Sequence, residues 1–125
     1  MARKTSIDQL PSAIAEIVKQ YEEGLIVGAD ELVRKTAQKG RAALKTSSAN
    51  VIGSRYAQGW RYQVEKGRLN TTATIYHTTG LPHLLEHGHA LPQGGRTAAR
   101  PHIAPVEEKL VTEYEKAVED MIHDL

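Results

Sequence analysis

The chain has 125 residues, 40% of them apolar and 25% charged, which fits one compact soluble domain spanning residues 1–125 around a single core. Cysteine is absent, which excludes disulfides and thiolate metal sites, and no segment approaches the roughly 20 apolar residues that cross a bilayer. The formal net charge is only +1, yet residues 1–70 carry twelve Lys/Arg against seven Asp/Glu while residues 71–125 carry four against eight.

That division into a basic and an acidic half suits head-to-tail contacts between copies, or reflects helices whose solvent faces differ in charge. Phenylalanine is absent, so the core must be built from Leu, Ile, Val and Ala, with Trp60 and five tyrosines as the large rings. The opening MARKTSIDQLPSA has positive charges but no apolar run behind them, unlike a secretory signal. A reducing compartment such as a bacterial cytoplasm is compatible with this composition.

From Ser6 to about Lys45 apolar residues recur at helical spacing: Ile7, Leu10, Ile14, Ile17, Tyr21 and Leu25, continued by Leu32, Ala37, Gly40 and Leu44. Ser6 and Gln9 have the spacing of a capping box. Gly24 and Gly28 each cost about 1 kcal/mol relative to Ala, so the reading is either one long helix or two that meet near Gly28, with Asp30 capping the second. Ser47, Ser48 and Asn50 read as a polar loop that ends the region, and Val51–Tyr56 as a short strand.

The period then changes. Trp60, Tyr62 and Val64 alternate with Arg61, Gln63 and Glu65, and Ala73, Ile75 and His77 alternate with Thr72, Thr74 and Tyr76. Two half-buried strands joined by a turn over Lys66–Asn70 predict an antiparallel hairpin. Leu81–His87 is long enough for two helical turns. Gly88–Arg100, rich in Gly, Pro, Ala and Arg, reads as a loop. Pro105 opens a last helix, Glu107 and Glu108 suit its positive end, and Val106, Leu110, Tyr114, Ala117, Val118, Met121 and Leu125 form its apolar stripe. Helices from both ends covering one face of a small antiparallel sheet make an α+β fold.

Three strings invite chemistry. His83-Leu-Leu-Glu86-His87 matches the inverted zinc-peptidase signature H-x-x-E-H, and His89 makes a local histidine triplet. Zinc would need a ligand from a second element, and Gly88 ends the helix where a catalytic helix needs bracing. The histidines therefore read as partners of helix-end carbonyls, with His83, His87 and His89 only weak metal candidates. Gln93-Gly94-Gly95-Arg96 with Arg100 suits an anionic contact but lacks the Lys-Ser/Thr ending of a P-loop. Lys35, Lys39, Arg41 and Lys45 form a basic run without helix-turn-helix spacing, zinc-finger ligands or a stacking platform. A small metal-dependent hydrolase and a DNA-binding regulator are thus the alternative readings. No nucleophile elbow, cofactor motif or small-molecule site stands out, so no enzyme and no cofactor are expected.

The run HLLEHGHA, the Gly-Gly-Arg loop and then PHIAP leading into an acidic helix resemble the tail-component (neck) family of long-tailed bacteriophages. The resemblance covers nearly the whole chain in order: a helix over Ile7–Lys45, strands over Tyr56–Val64 and Thr71–His77, then Leu84–Gly88. The Glu23–Gly28 stretch departs from it, since uninterrupted helix formers belong there. The resemblance implies a structural part of the head–tail connector, in head–tail joining or tail completion, built as a ring of identical subunits. Its implied partners are itself and other neck and tail proteins, namely head-closure or connector proteins and a tail terminator or tail tube, with non-specific contact to channel DNA. The implied location is the virion, after assembly in the host bacterial cytoplasm. Glu86, Arg96 and Arg100 are the expected partner-contact residues, while Leu84 and Leu85 anchor the short helix.

Overall fold

A computed structural model describes residues 10–124. The Ser6/Gln9 capping pair, Ile7 and Leu125 lie outside that range. The order is helix α1 (Leu10–Val51), one-turn helix α2 (Ser54–Ala57), strands β1 (Trp60–Lys66) and β2 (Thr71–His77), short helix α3 (Leu81–His87) and helix α4 (Ala104–His123). The fold is α+β: the long N-terminal helix α1 covers a two-stranded antiparallel sheet, and the C-terminal helix α4, expected on the sheet as well, packs chiefly on α1. No described helix is long and apolar enough to cross a membrane.

The hairpin has the expected register. Trp60 faces His77, Tyr62 faces Ile75 and Val64 faces Ala73, all turned toward α1, whereas Arg61, Gln63, Glu65, Thr72, Thr74 and Tyr76 are exposed. The alternation follows from the two-residue period of a strand with one covered face. Lys66 pairs with Thr71 as the last rung, and Gly67 N–H donates to the Asn70 carbonyl to close the turn.

α1 departs from expectation in three places. It runs unbroken through Gly24 and Gly28, so the two-helix alternative and the Asp30 cap are corrected. Gly28 is where α4 comes closest: a Cβ there would stand 2.7 Å from the Met121 sulfur. Close helix packing offsets the propensity that glycine loses. Asp30, in mid-helix, instead accepts from the Thr71 hydroxyl and from Arg34 Nε, and so ties the base of β2 to α1.

The supposed loop at Ser47, Ser48 and Asn50 is also helical. Ser48 is wholly buried and accepts from Trp60 Nε1 at 2.8 Å, and Ser47 donates to the His102 carbonyl at 2.7 Å. Their polarity serves tertiary partners, so the helix continues at small intrinsic cost. The strand expected over Val51–Tyr56 is replaced by the end of α1, a turn at Gly53 and α2.

α4 lies antiparallel on α1, with Met121 against Gly28, Leu110 against Gly40 and Lys39 paired with Glu113. At Gly40 three elements converge, since a Cβ would meet Ile75 and Leu110 side chains at 2.7 Å each. The buried apolar residues in the described chain are Ala37, Leu44, Ala57 and Trp60. All of them belong to the distal part of α1, α2 and the start of β1. The core sits at that end of the molecule, and the first turns of α1 extend beyond it.

Candidate functional site

The segment from Leu81 to Pro105 carries the sequence motifs, and its chemistry centres on Glu86. α4 begins without a side-chain cap of its own, because Ile103 occupies the N-cap position. Its first N–H groups need acceptors from elsewhere. Glu86, only 7% exposed, supplies them from α3: Oε1 accepts from His102 and Ile103 N–H at 2.8 and 2.9 Å, and Oε2 accepts from Ala104 N–H at 3.0 Å. A carboxylate at the positive end of α4 is favoured by the helix dipole as well. Burial, the largest single influence, pushes the Glu86 carboxyl up, but the three backbone donors together hold it below the usual carboxylate range.

His102 completes the junction. It is fully buried, and its Nδ1 lies 2.8 Å from the Arg100 carbonyl and 3.1 Å from Glu86 Oε1. Both neighbours are acceptors, which assigns the proton to Nδ1 and leaves Nε2 to accept from the Tyr56 hydroxyl at 2.8 Å. Desolvation, aided by the negative charge of Glu86, pushes Tyr56 up to about 12, so it remains a donor. Tyr56 also stacks on His77 at 4.3 Å between ring centroids, and Trp60 packs edge-on against both rings. His77 is committed on both nitrogens: Nδ1 accepts from Thr79 N–H, and Nε2 donates to the Tyr56 carbonyl at 2.7 Å.

A carboxylate, an imidazole and a hydroxyl in series have the outline of a catalytic triad, but the chemistry runs the other way. The terminal hydroxyl is a tyrosine whose proton is held more tightly than usual, and the imidazole is sealed from solvent. Every buried side-chain polar atom of the described residues has a hydrogen-bond partner. The arrangement is a clamp that fastens α3, the loop before α4, and α2 to one point.

The expected site residues are placed as follows. Glu86, expected at a partner contact, is turned inward, and its carboxylate is spent on the α4 cap. Arg100 is exposed but tied down: its guanidinium donates to the Val51 carbonyl at 2.8 Å and so caps the end of α1. Arg96 reaches back to the Gly88 carbonyl at 3.3 Å. The Gly-rich loop is closed on itself, with Ala90 bridging Arg96 and Thr97 N–H donating to the His89 carbonyl. Gly88 makes this closure possible. Its φ of +73° suits glycine, and a Cβ there would overlap the Thr97 carbonyl.

His83 and His87 stand side by side on the exposed face of α3, rings 5.2 Å apart, while Glu86 faces the interior. His89 Nδ1 bonds to the Thr97 hydroxyl instead of joining them. Among the described residues no three His, Cys, Asp or Glu side chains are grouped as a metal site requires. The basic run of α1 is divided as well: Lys39 pairs with Glu113 of α4, whereas Arg41 Nε donates to the Trp60 carbonyl on the hairpin side. Local sequence pattern gives no role to Tyr56 or His102 and places Ser48 in a loop. Their roles arise from contacts 12 to 55 residues apart along the chain, which no local pattern encodes.

The exposed surface offers a different kind of site. Ahead of Gly28, where α4 ends, α1 continues as an arm that no other described element supports, and its apolar side chains lie open: Ile14 is 53% exposed, Ile17 66%, Val18 48% and Tyr21 47%. No family model, curated protein or solved structure matches this chain.

Proposed function

We propose that this chain is a structural subunit of the head–tail connector of a long-tailed bacteriophage, active in head–tail joining or tail completion as a ring of identical copies. The reading starts from the resemblance of His83–Pro105 to the neck family. The observation that supports it is the apolar arm of α1. A helix that presents Ile14, Ile17, Val18 and Tyr21 on one stripe to water is a surface for assembly, since soluble monomers rarely expose contiguous apolar patches of this kind. The Glu86 clamp fits the same role, because it sets the α3–α4 junction rigidly while leaving the arm free to be covered. In this reading the partners are further copies and the neighbouring neck and tail proteins, and the location is the virion.

The test is genetic and visual. In a host producing virions that carry this gene, a nonsense mutation in it should leave DNA-filled heads and free tails that do not join, seen by electron microscopy. Normal infectious particles in its absence would falsify the reading.

A further inference from the structure

The arm is not the only unpartnered apolar surface. Between α1, β2 and α4 runs an open groove of about 360 Å³ lined by Val33, Ala37, Ile75, Leu110, Val111 and Tyr114. Its wall is mainly apolar, with Thr36, Thr71 and Thr72 supplying the polar part, and Val111 is 47% exposed on its rim. The monomer thus has one apolar projection and one apolar recess.

The two cannot meet within one molecule. Arm and groove share α1, a single continuous helix, and Ile17 lies about 24 Å along its axis from Val33 at ~1.5 Å per residue. A rod cannot fold onto its own side. A second copy has no such restriction. We propose that the α1 arm of one copy, through Ile14, Ile17, Val18 and Tyr21, seats in the α1/β2/α4 groove of the next copy. This deepens the assembly reading above and rests on its claim that copies associate.

Three features favour another copy as the occupant. The arm stripe is continuous with an interface the helix already makes: Ile14, Val18, Tyr21 and Leu25 alternate in steps of four and three, and the next steps, Gly28 and Leu32, lie beneath α4. The arm therefore has the pattern of a surface built to receive helical partners. Charge agrees too. The arm carries Glu16, Glu22 and Glu23 against Lys19, while Lys66 and Arg68 of the hairpin stand at the Thr71 end of the groove beside an Arg34–Asp30 ion pair.

Area is the third feature. An arm from Leu10 to Val27 is about 27 Å long and, laid in a groove, buries on the order of 400 Å² on each side. One contact of about 800 Å² falls at the weak end of specific interfaces. Because each copy has both an arm and a groove, the contact is heterologous and propagates. Closing a ring gives each subunit two such contacts and buries about 800 Å² of its own surface, the per-partner share of a standard-size interface.

The cysteine-free chain allows a clean test. Full-length Ile17→Cys and Val111→Cys chains, distinguished by mass, are mixed and treated with a short bis-maleimide. The proposal requires a mixed Ile17–Val111 cross-link in excess of either same-site product. In parallel, sedimentation of the unmodified chain should show concentration-dependent assembly that Ile17→Glu weakens about tenfold or more, with an unchanged circular dichroism spectrum. An unmodified chain that stays monomeric overturns both the interface and the assembly reading. Assembly that survives Ile17→Glu, or cross-links confined to Ile17–Ile17 pairs, overturns the interface alone.

Discussion

Glu86 makes α4 depend on a residue 18 positions before the helix begins. Its carboxyl is held below the usual range, so its contribution is complete above its unfolded value near 4.3 and is lost as pH falls through the lower folded value. Asp30 behaves in the same sense, lowered chiefly by its hydrogen bond from Arg34 and then by that from Thr71. Glu86→Ala, which leaves three N–H groups at the α4 start without acceptors, should cost about 2–3 kcal/mol at pH 7. Glu86→Gln should cost less at pH 7 and flatten the loss of stability below pH ~4.3. Urea titrations followed by the emission of Trp60, the single tryptophan and 4% exposed, would measure both. An acid limb as steep in Glu86→Gln as in the unmodified chain would show that other carboxylates control it.

At the scale of elements, the antiparallel pairing of α1 and α4 is set by two glycines that act differently. At Gly28 an added methyl meets only the sulfur end of Met121, a side chain able to move aside. Gly28→Ala should therefore be neutral or raise stability by up to about 1 kcal/mol through helix propensity. At Gly40 the methyl meets Ile75 from the hairpin and Leu110 from α4 together, so relief toward one increases the clash with the other. Gly40→Ala should lower stability by about 1–2 kcal/mol despite the same propensity gain, as overpacking does. Thermal melts of the two variants decide this, and a stabilised Gly40→Ala would mean that the three elements yield more readily than their packing implies.

For the whole molecule, burial is unevenly shared. The apolar residues of the arm are exposed while the distal half of α1 holds Ala37 and Leu44 in the core. Ile14→Ser, Ile17→Ser and Val18→Ser should each change monomer stability by no more than about 0.5 kcal/mol, whereas Leu44→Ala should cost about 2–5 kcal/mol. Denaturation at concentrations low enough to keep the chain monomeric is the measurement. A large loss from any arm substitution would place the arm inside the monomer's own cooperative unit. The same asymmetry divides the chain: the clamp fastens the folded part together, and the arm carries apolar side chains that the monomer leaves exposed.

Local pattern by itself determined the α+β class, the hairpin with its inward and outward faces, the short helix at Leu81–His87 and the stripe of α4. These follow from periods of 2 and 3.6 residues, which any one segment displays without its neighbours. The continuity of α1 was decided by tertiary structure. Gly28 and the Ser47/Ser48 pair read locally as a weak point and a loop, and only Met121, Trp60 and His102 across the fold give them helical roles. Glu86 shows the same division most plainly. As part of H-x-x-E-H it suggests zinc, and as an acidic residue beside an Arg loop it suggests a partner. Its actual partners are backbone N–H groups that carry no sequence signature, so only the folded chain could assign the helix cap to it.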